Sequence, residues 1–165
     1  MTRTAGDANT STFVQSELFA RTFREGLALV EETAKYLDGA GREASRGLSR
    51  SGALAYASAS MRLTTQLMQI ASWLLVMRAV REGEMSVVDA GDDKFRIKSR
   101  ESLIGDMLDQ GLPPSLVALA ESSGQLHARI ARIDADLFGA ERSAPSERDA
   151  MAQQRALADA FGGGR

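Results

Sequence analysis

Between Ser51 and Val76 the chain carries a single charged residue, Arg62. Two apolar lines run through this stretch at helical spacing. Leu54, Met61, Met68 and Leu75 recur every seven residues, and Leu63, Leu67, Ile70, Leu74 and Met77 form a second line. A helix that is apolar on two faces has to be covered on two faces. It is therefore the central helix of a bundle, one side of a dimer seam, or both. Trp73 falls beside the second line, so Leu63, Leu67, Ile70, Trp73, Leu74 and Met77 are the expected core or dimer-interface residues. The run is too short for a membrane span, which needs about 20 apolar residues. Gln66, Gln69 and Arg62 precede its most apolar part, Ile70 to Val80, and Arg78 lies inside it.

The flanking sequence repeats the helical theme. Thr12 with Gln15 has the form of a capping box. Phe19, Phe23, Leu27, Val30, Ala34 and Leu37 then follow at steps of three and four, one stripe of a helix that Gly39 and Gly41 end. Pro113 and Pro114 open a third helix, since proline is tolerated in a first turn. Leu116, Ala120, Ser123, His127, Ile130, Asp134 and Leu137 trace its buried line, widened by Leu119, Leu126 and Ile133, up to Gly139.

These elements predict an all-α fold, an antiparallel three-helix bundle with flexible N- and C-terminal tails, expected to be dimeric. The tails are 1–11 and 139–165. The bundle is 12–138, with helices at about 12–37, 51–82 and 113–138 and a loop over 83–112. The connector 38–50 has room for a helical turn, and Ser99 to Leu108 for a short helix. Lys94 to Lys98 alternates like a strand but lacks a partner strand, so an extended loop is expected. Within the tail, Met151, Leu157 and Phe161 offer three apolar anchors, too few to bury much area. That pattern predicts disorder, or a helix formed on binding.

Active-site chemistry is sparse. The sequence has no cysteine and one histidine, so thiolate metal sites are excluded and imidazole sites lack a second ligand. His127 lies in an apolar line and reads as structural. Asp89, Asp92 and Asp93 lack the offsets of a calcium loop. Glu31 and Glu32 are adjacent and point about 100° apart on a helix. No catalytic residue, metal or cofactor is expected. The net charge of −2 gives no global support for nucleic-acid binding. The polar, small-residue N-terminus resembles neither a signal peptide nor an anchor, so a cytoplasmic location is expected. Basic residues cluster twice, at Arg42, Arg46 and Arg50 and at Lys94, Arg96, Lys98 and Arg100, and Arg62 stands alone in an otherwise uncharged stretch. Arg62, Lys94, Arg96 and Lys98 are the candidate partner-binding residues.

Two blocks of residues carry a family likeness. One is Glu17-Leu18-Phe19 with Leu29 to Gly39. The other, longer and more specific, is Met61-Arg62-Leu63-Thr64-Thr65-Gln66-Leu67-Met68-Gln69-Ile70-Ala71-Ser72-Trp73-Leu74-Leu75-Val76, continuing from Arg78 to Met85. Together they resemble the alphaproteobacterial RcdA family, regulators of CtrA degradation. The resemblance covers residues 13–85 well and 112–137 weakly. It implies a dimerising three-helix bundle without enzymatic activity. It also implies an adaptor that helps deliver cell-cycle regulators such as CtrA to the ClpXP protease. The implied companions are CpdR and PopA, and the implied place is the cytoplasm with recruitment to the cell pole. Loop 83–112 and tail 139–165 do not share the likeness.

Overall fold

Two serines and two glycines set the ends of the first long helices. The computed structural model describes residues 5–98 and 111–143. Its helices are α1 (Ala5–Val14), α2 (Glu17–Asp38), α3 (Ala40–Arg46), α4 (Arg50–Glu82), α5 (Val87–Ala90) and α6 (Pro114–Ser143), and no described residue lies in a strand. Ser16 caps α2: its hydroxyl accepts from the Phe19 N–H at 3.2 Å. Ser49 does the same for α4, accepting from Gly52 N–H at 3.1 Å. These contacts satisfy amide donors that a helix start otherwise leaves unpaired. Gly39 closes α2 with its N–H on Lys35 and Tyr36 carbonyls. Gly83 closes α4 at φ 76°, a left-handed geometry that suits a residue without Cβ.

The register of α2, α4 and α6 follows from a few side chains. Gly26 on α2 faces Leu74 and Ile70, while Gly41 just beyond α2 faces Tyr56, so α2 and α4 run antiparallel. Arg129 on α6 pairs with Glu25 on α2, and Leu126 also faces Gly26. Ser123 donates to Gln66 at 2.8 Å, and Trp73 donates to Asp134 at 2.9 Å. Numbers on α4 and α6 therefore rise together, and these two helices are parallel. The sequence expectation was antiparallel succession. The long connection from Glu82 to Pro114 makes the difference, because it returns the chain to the end where α4 begins.

The core forms where α4 and α6 present continuous lines. Leu63, Leu67, Ile70, Trp73, Leu74 and Met77 are all buried, as are Leu116, Ala120, Ser123, His127, Ile130, Asp134 and Leu137. Each large aliphatic side chain so enclosed contributes on the order of 1.5–3 kcal/mol. Of the buried polar side chains, Gln66, Ser123 and Asp134 are hydrogen-bonded between helices, whereas the Thr10 and Thr33 hydroxyls find no partner among the described residues.

Several expectations change. Residues 5–11, expected to be part of a disordered tail, belong to α1, whose Thr10 and Val14 are buried. Phe13 explains why α1 docks: its ring meets Phe19 at 5.6 Å and Trp73 at 6.2 Å. Thr12 is not a cap; it lies inside α1 and donates to the Ala8 carbonyl. The buried line of α2 is Phe19, Thr22, Gly26, Leu29 and Thr33, and of the expected apolar stripe only Phe19 is fully buried. Small residues win those positions because α2 approaches α4 closely at Gly26. The loop 83–112 contains α5, capped by Ser86. Residues 91–96 form turns and bends rather than an extended stretch, and Ile97 is buried. The third helix passes Gly139 and reaches Ser143. The expected helix from Ser99 to Leu108 and the anchors Met151, Leu157 and Phe161 lie outside the described residues.

Candidate interaction surface

Seven residues of helix advance about 700°, so a seven-residue repeat drifts only about 20° per step and stays on one face. Leu54, Met61, Met68 and Leu75 obey that arithmetic and point outward. They are 74%, 72%, 65% and 52% exposed. Together they mark about 32 Å of α4. Single exposed apolar residues are ordinary, but an aligned row of four is the kind of surface that partners cover.

The rotation of α2 widens this face. Because Thr22, Gly26, Leu29 and Thr33 turn inward, Phe23, Val30 and Leu37 are only half-buried, and Leu27 and Ala34 are exposed. Val30, Ala34 and Leu37 meet Thr64, Leu67, Met68 and Ala71 of α4 around a hollow of about 310 Å³. The two helices thus present an apolar groove beside the α4 row. Methionine suits such a surface, since its unbranched thioether adapts to different contours.

The proposed charged contacts divide. Arg62 is exposed on α4 and is engaged within the fold. Lys94 is exposed, 3.6 Å from Asp92 and stacked 4.8 Å from the Phe95 ring centroid. Lys98 is exposed. Arg96 is not available to a partner. Its side chain turns inward, where Nε reaches both Asp134 carboxylate oxygens at 2.8 and 2.9 Å and Nη2 reaches the Asp134 carbonyl at 3.1 Å. Its guanidinium also lies 4.9 Å from the Phe138 ring centroid. Turns and bends at 91–96 turn Arg96 inward while Lys94 and Lys98 stay exposed. Sequence reasoning placed Asp134 in the buried line without a partner. A carboxylate there needs a cation, and that requirement was the signal for Arg96.

The remaining candidates are structural. His127 is buried between Leu126 and Ile130 on the core side of α6. Asp89 accepts from the Ser86 hydroxyl, and Asp92 accepts from the Lys94 N–H. Arg46 pairs with Glu43 on the exposed connector. Glu31 and Lys35 form an exposed i,i+4 pair, and the hydrogen bond between them lowers the Glu31 pKa and raises that of Lys35. Among the described residues no three His, Cys, Asp or Glu side chains gather as metal ligands. No described helix is long and apolar enough to cross a membrane.

An all-α bundle with an apolar outer row on α4 places the chain among the helical-bundle proteins. The chain matches, over residues 10–161, the profile of the family described as "Protein of unknown function (DUF1465)". It is also 51% identical to a solved structure, RcdA from Caulobacter crescentus CB15, covering 75% of this chain and 93% of that one with a TM-score of 0.64. This protein belongs to that family, the RcdA family. No curated protein matches it significantly.

Proposed function

We propose that the protein is a non-enzymatic adaptor in regulated proteolysis that helps deliver cell-cycle regulators such as CtrA to ClpXP. The observation that carries this reading is the 51% identity across 93% of the Caulobacter RcdA chain. The physical mechanism is tethering: an adaptor that holds substrate and protease together raises their effective concentration without new chemistry. The exposed row on α4 supports the reading, because a tether needs a surface that binds proteins. In this proposal the row Leu54, Met61, Met68 and Leu75 is the seam of a homodimer. Companion adaptors of the CpdR and PopA type and the ClpX unfoldase are its partners. The setting is the cytoplasm, with recruitment to the cell pole.

The test is reconstituted degradation of CtrA by ClpXP, with the companion adaptors supplied and this protein added or withheld. Faster CtrA loss on addition, together with co-purification with ClpX, is the expected result. Absence of both under every combination of companions would count against the adaptor reading. If the protein instead retains a different set of proteins, shown by profiling cargo after its depletion from the native host, it is a dimeric scaffold for other cargo.

A further inference from the structure

We propose that a second hollow, at the far end of the α2–α4 groove, is the seat of this chain's own C-terminal tail, with Phe161 in the hollow and Asp159 on Arg81. The hollow measures about 230 Å³ and lies between the first turns of α2 and the last turns of α4. The half-buried Phe23 forms its aromatic side above the buried Phe19, and Arg24, Arg78 and Arg81 stand around it with Glu82. Such a site takes an aromatic ring carried next to a carboxylate. Ring meets ring in edge or offset contact, and the carboxylate meets a guanidinium.

The cations differ in availability. Arg24 is paired with Glu17 at 3.0 Å. Arg78 is paired with Glu82 at 2.8 Å and lies 5.8 Å from the Phe23 ring centroid. Arg81 forms no ion pair among the described residues; only its carbonyl is used, accepting from Gln15. One guanidinium beside an aromatic hollow is therefore left for an incoming acid.

The tail supplies the matching group. Phe161 is the one aromatic residue after Phe138, and Asp159 precedes it by two positions in Leu157-Ala158-Asp159-Ala160-Phe161. The family profile continues through 161 and stops before the Gly162–Arg165 run. The profile thus extends past the end of α6 and finishes at the aromatic residue.

Reach also favours the chain's own tail. Arg129 meets Glu25, so α6 finishes at the end of the bundle where α2 starts and α4 ends. That is the end that holds the hollow. Phe161 lies 18 positions beyond Ser143. A coil of that length spans roughly 24 Å on average, comparable to crossing two helices of about 10–12 Å diameter. A tether whose average length matches the span gives the highest local concentration.

The experiment places a photo-crosslinking benzoylphenylalanine at position 161 of the full-length chain. After irradiation the products are separated on a denaturing gel, and the crosslinked peptides are identified by mass spectrometry. The expected product runs as a single chain, with crosslinks in the Phe19–Arg24 or Arg78–Glu82 peptides. Arg81→Glu is expected to reduce the yield several-fold, and Asp159→Arg added to it to restore the yield. Crosslinks elsewhere, a covalent dimer as the main product, no crosslink, or a yield indifferent to both charge changes would each overturn the proposal. The covalent dimer would assign the hollow to the tail of a second copy.

Discussion

The indole N–H of Trp73 donates to Asp134 at 2.9 Å, and Arg96 holds the same buried carboxylate. This contact joins α4 to α6 and fastens the turn-rich segment 91–98 onto both. The charge is tolerable inside because an arginine fork and an indole donor together replace its water. Removing the acid leaves a guanidinium and an N–H buried without it. Asp134→Ala is expected to destabilise the fold by about 3–5 kcal/mol, a large share of a domain's typical 5–15 kcal/mol. Trp73→Phe, which keeps the Arg96 pair, loses one hydrogen bond of about 1 kcal/mol and part of the buried ring volume, and is expected to cost less than Asp134→Ala. Urea unfolding of both variants checks the order; equal losses would contradict it.

Leu74 and Leu75 are neighbours with opposite surroundings: Leu74 is fully enclosed and Leu75 is half-exposed in the outer row. Leu74→Asp places an unpaired carboxylate in the core, which costs several kcal/mol, so cooperative melting should be lost. Leu75→Asp should melt cooperatively, as wild type does, because its carboxylate remains in water within a subunit. Thermal unfolding followed by circular dichroism separates the two. Similar melting of both variants would show that the two faces of α4 are not distinct.

That distinction shows how much of the fold was legible. Periodicity alone located both lines on α4 and most of the buried face of α6, where it missed Phe138 and included the half-buried Ile133. On α2 the same reasoning found the buried Phe19 but otherwise chose positions at the edge of the buried face or outside it. Hydrophobicity pointed to Phe23, Leu27, Val30, Ala34 and Leu37, while close approach of the helices placed Thr22, Gly26 and Thr33 inside. A small-residue face carries little hydropathic signal, and only the partner helix reveals it. Arg96 was misread for a related reason. Its partner Asp134 lies 38 positions away, and a pairing at that separation leaves no local pattern. Helix α1 escaped notice because Ala5 to Thr12 is polar and small, and its docking rests on Phe13 and Val14 at its end.

Gly26 offers a direct test of the close approach. A Cβ added there would come 2.4 Å from Leu74 Cδ1. Gly26→Leu is expected to destabilise by about 3 kcal/mol or more through overpacking, despite the better helix propensity of leucine. Equilibrium unfolding measures the change. A stabilised variant would mean that α2 and α4 stand further apart.

Tyr36 gives the fold an alkaline limit. Burial and the neighbouring Tyr56 raise its pKa above the ordinary 10.0. The unfolded chain then loses this proton before the folded one. The contribution to stability is therefore fully present below pH 10.0 and is lost as pH rises through the folded value. Denaturation curves at successive pH values should show that loss in wild type and a smaller one in Tyr36→Phe. Identical alkaline slopes in the two proteins would contradict the assignment.

The central claim is that the outer row of α4 is a seam for a second copy, and molar mass by light scattering tests it most directly. The chain weighs 17.7 kDa. Wild type is expected at twice that mass, and the double variant Met61→Glu, Met68→Glu at the single-chain mass with its helical content and cooperative melting retained. A wild-type protein that stays at 17.7 kDa across micromolar concentrations, or a double variant that still doubles, would contradict the account.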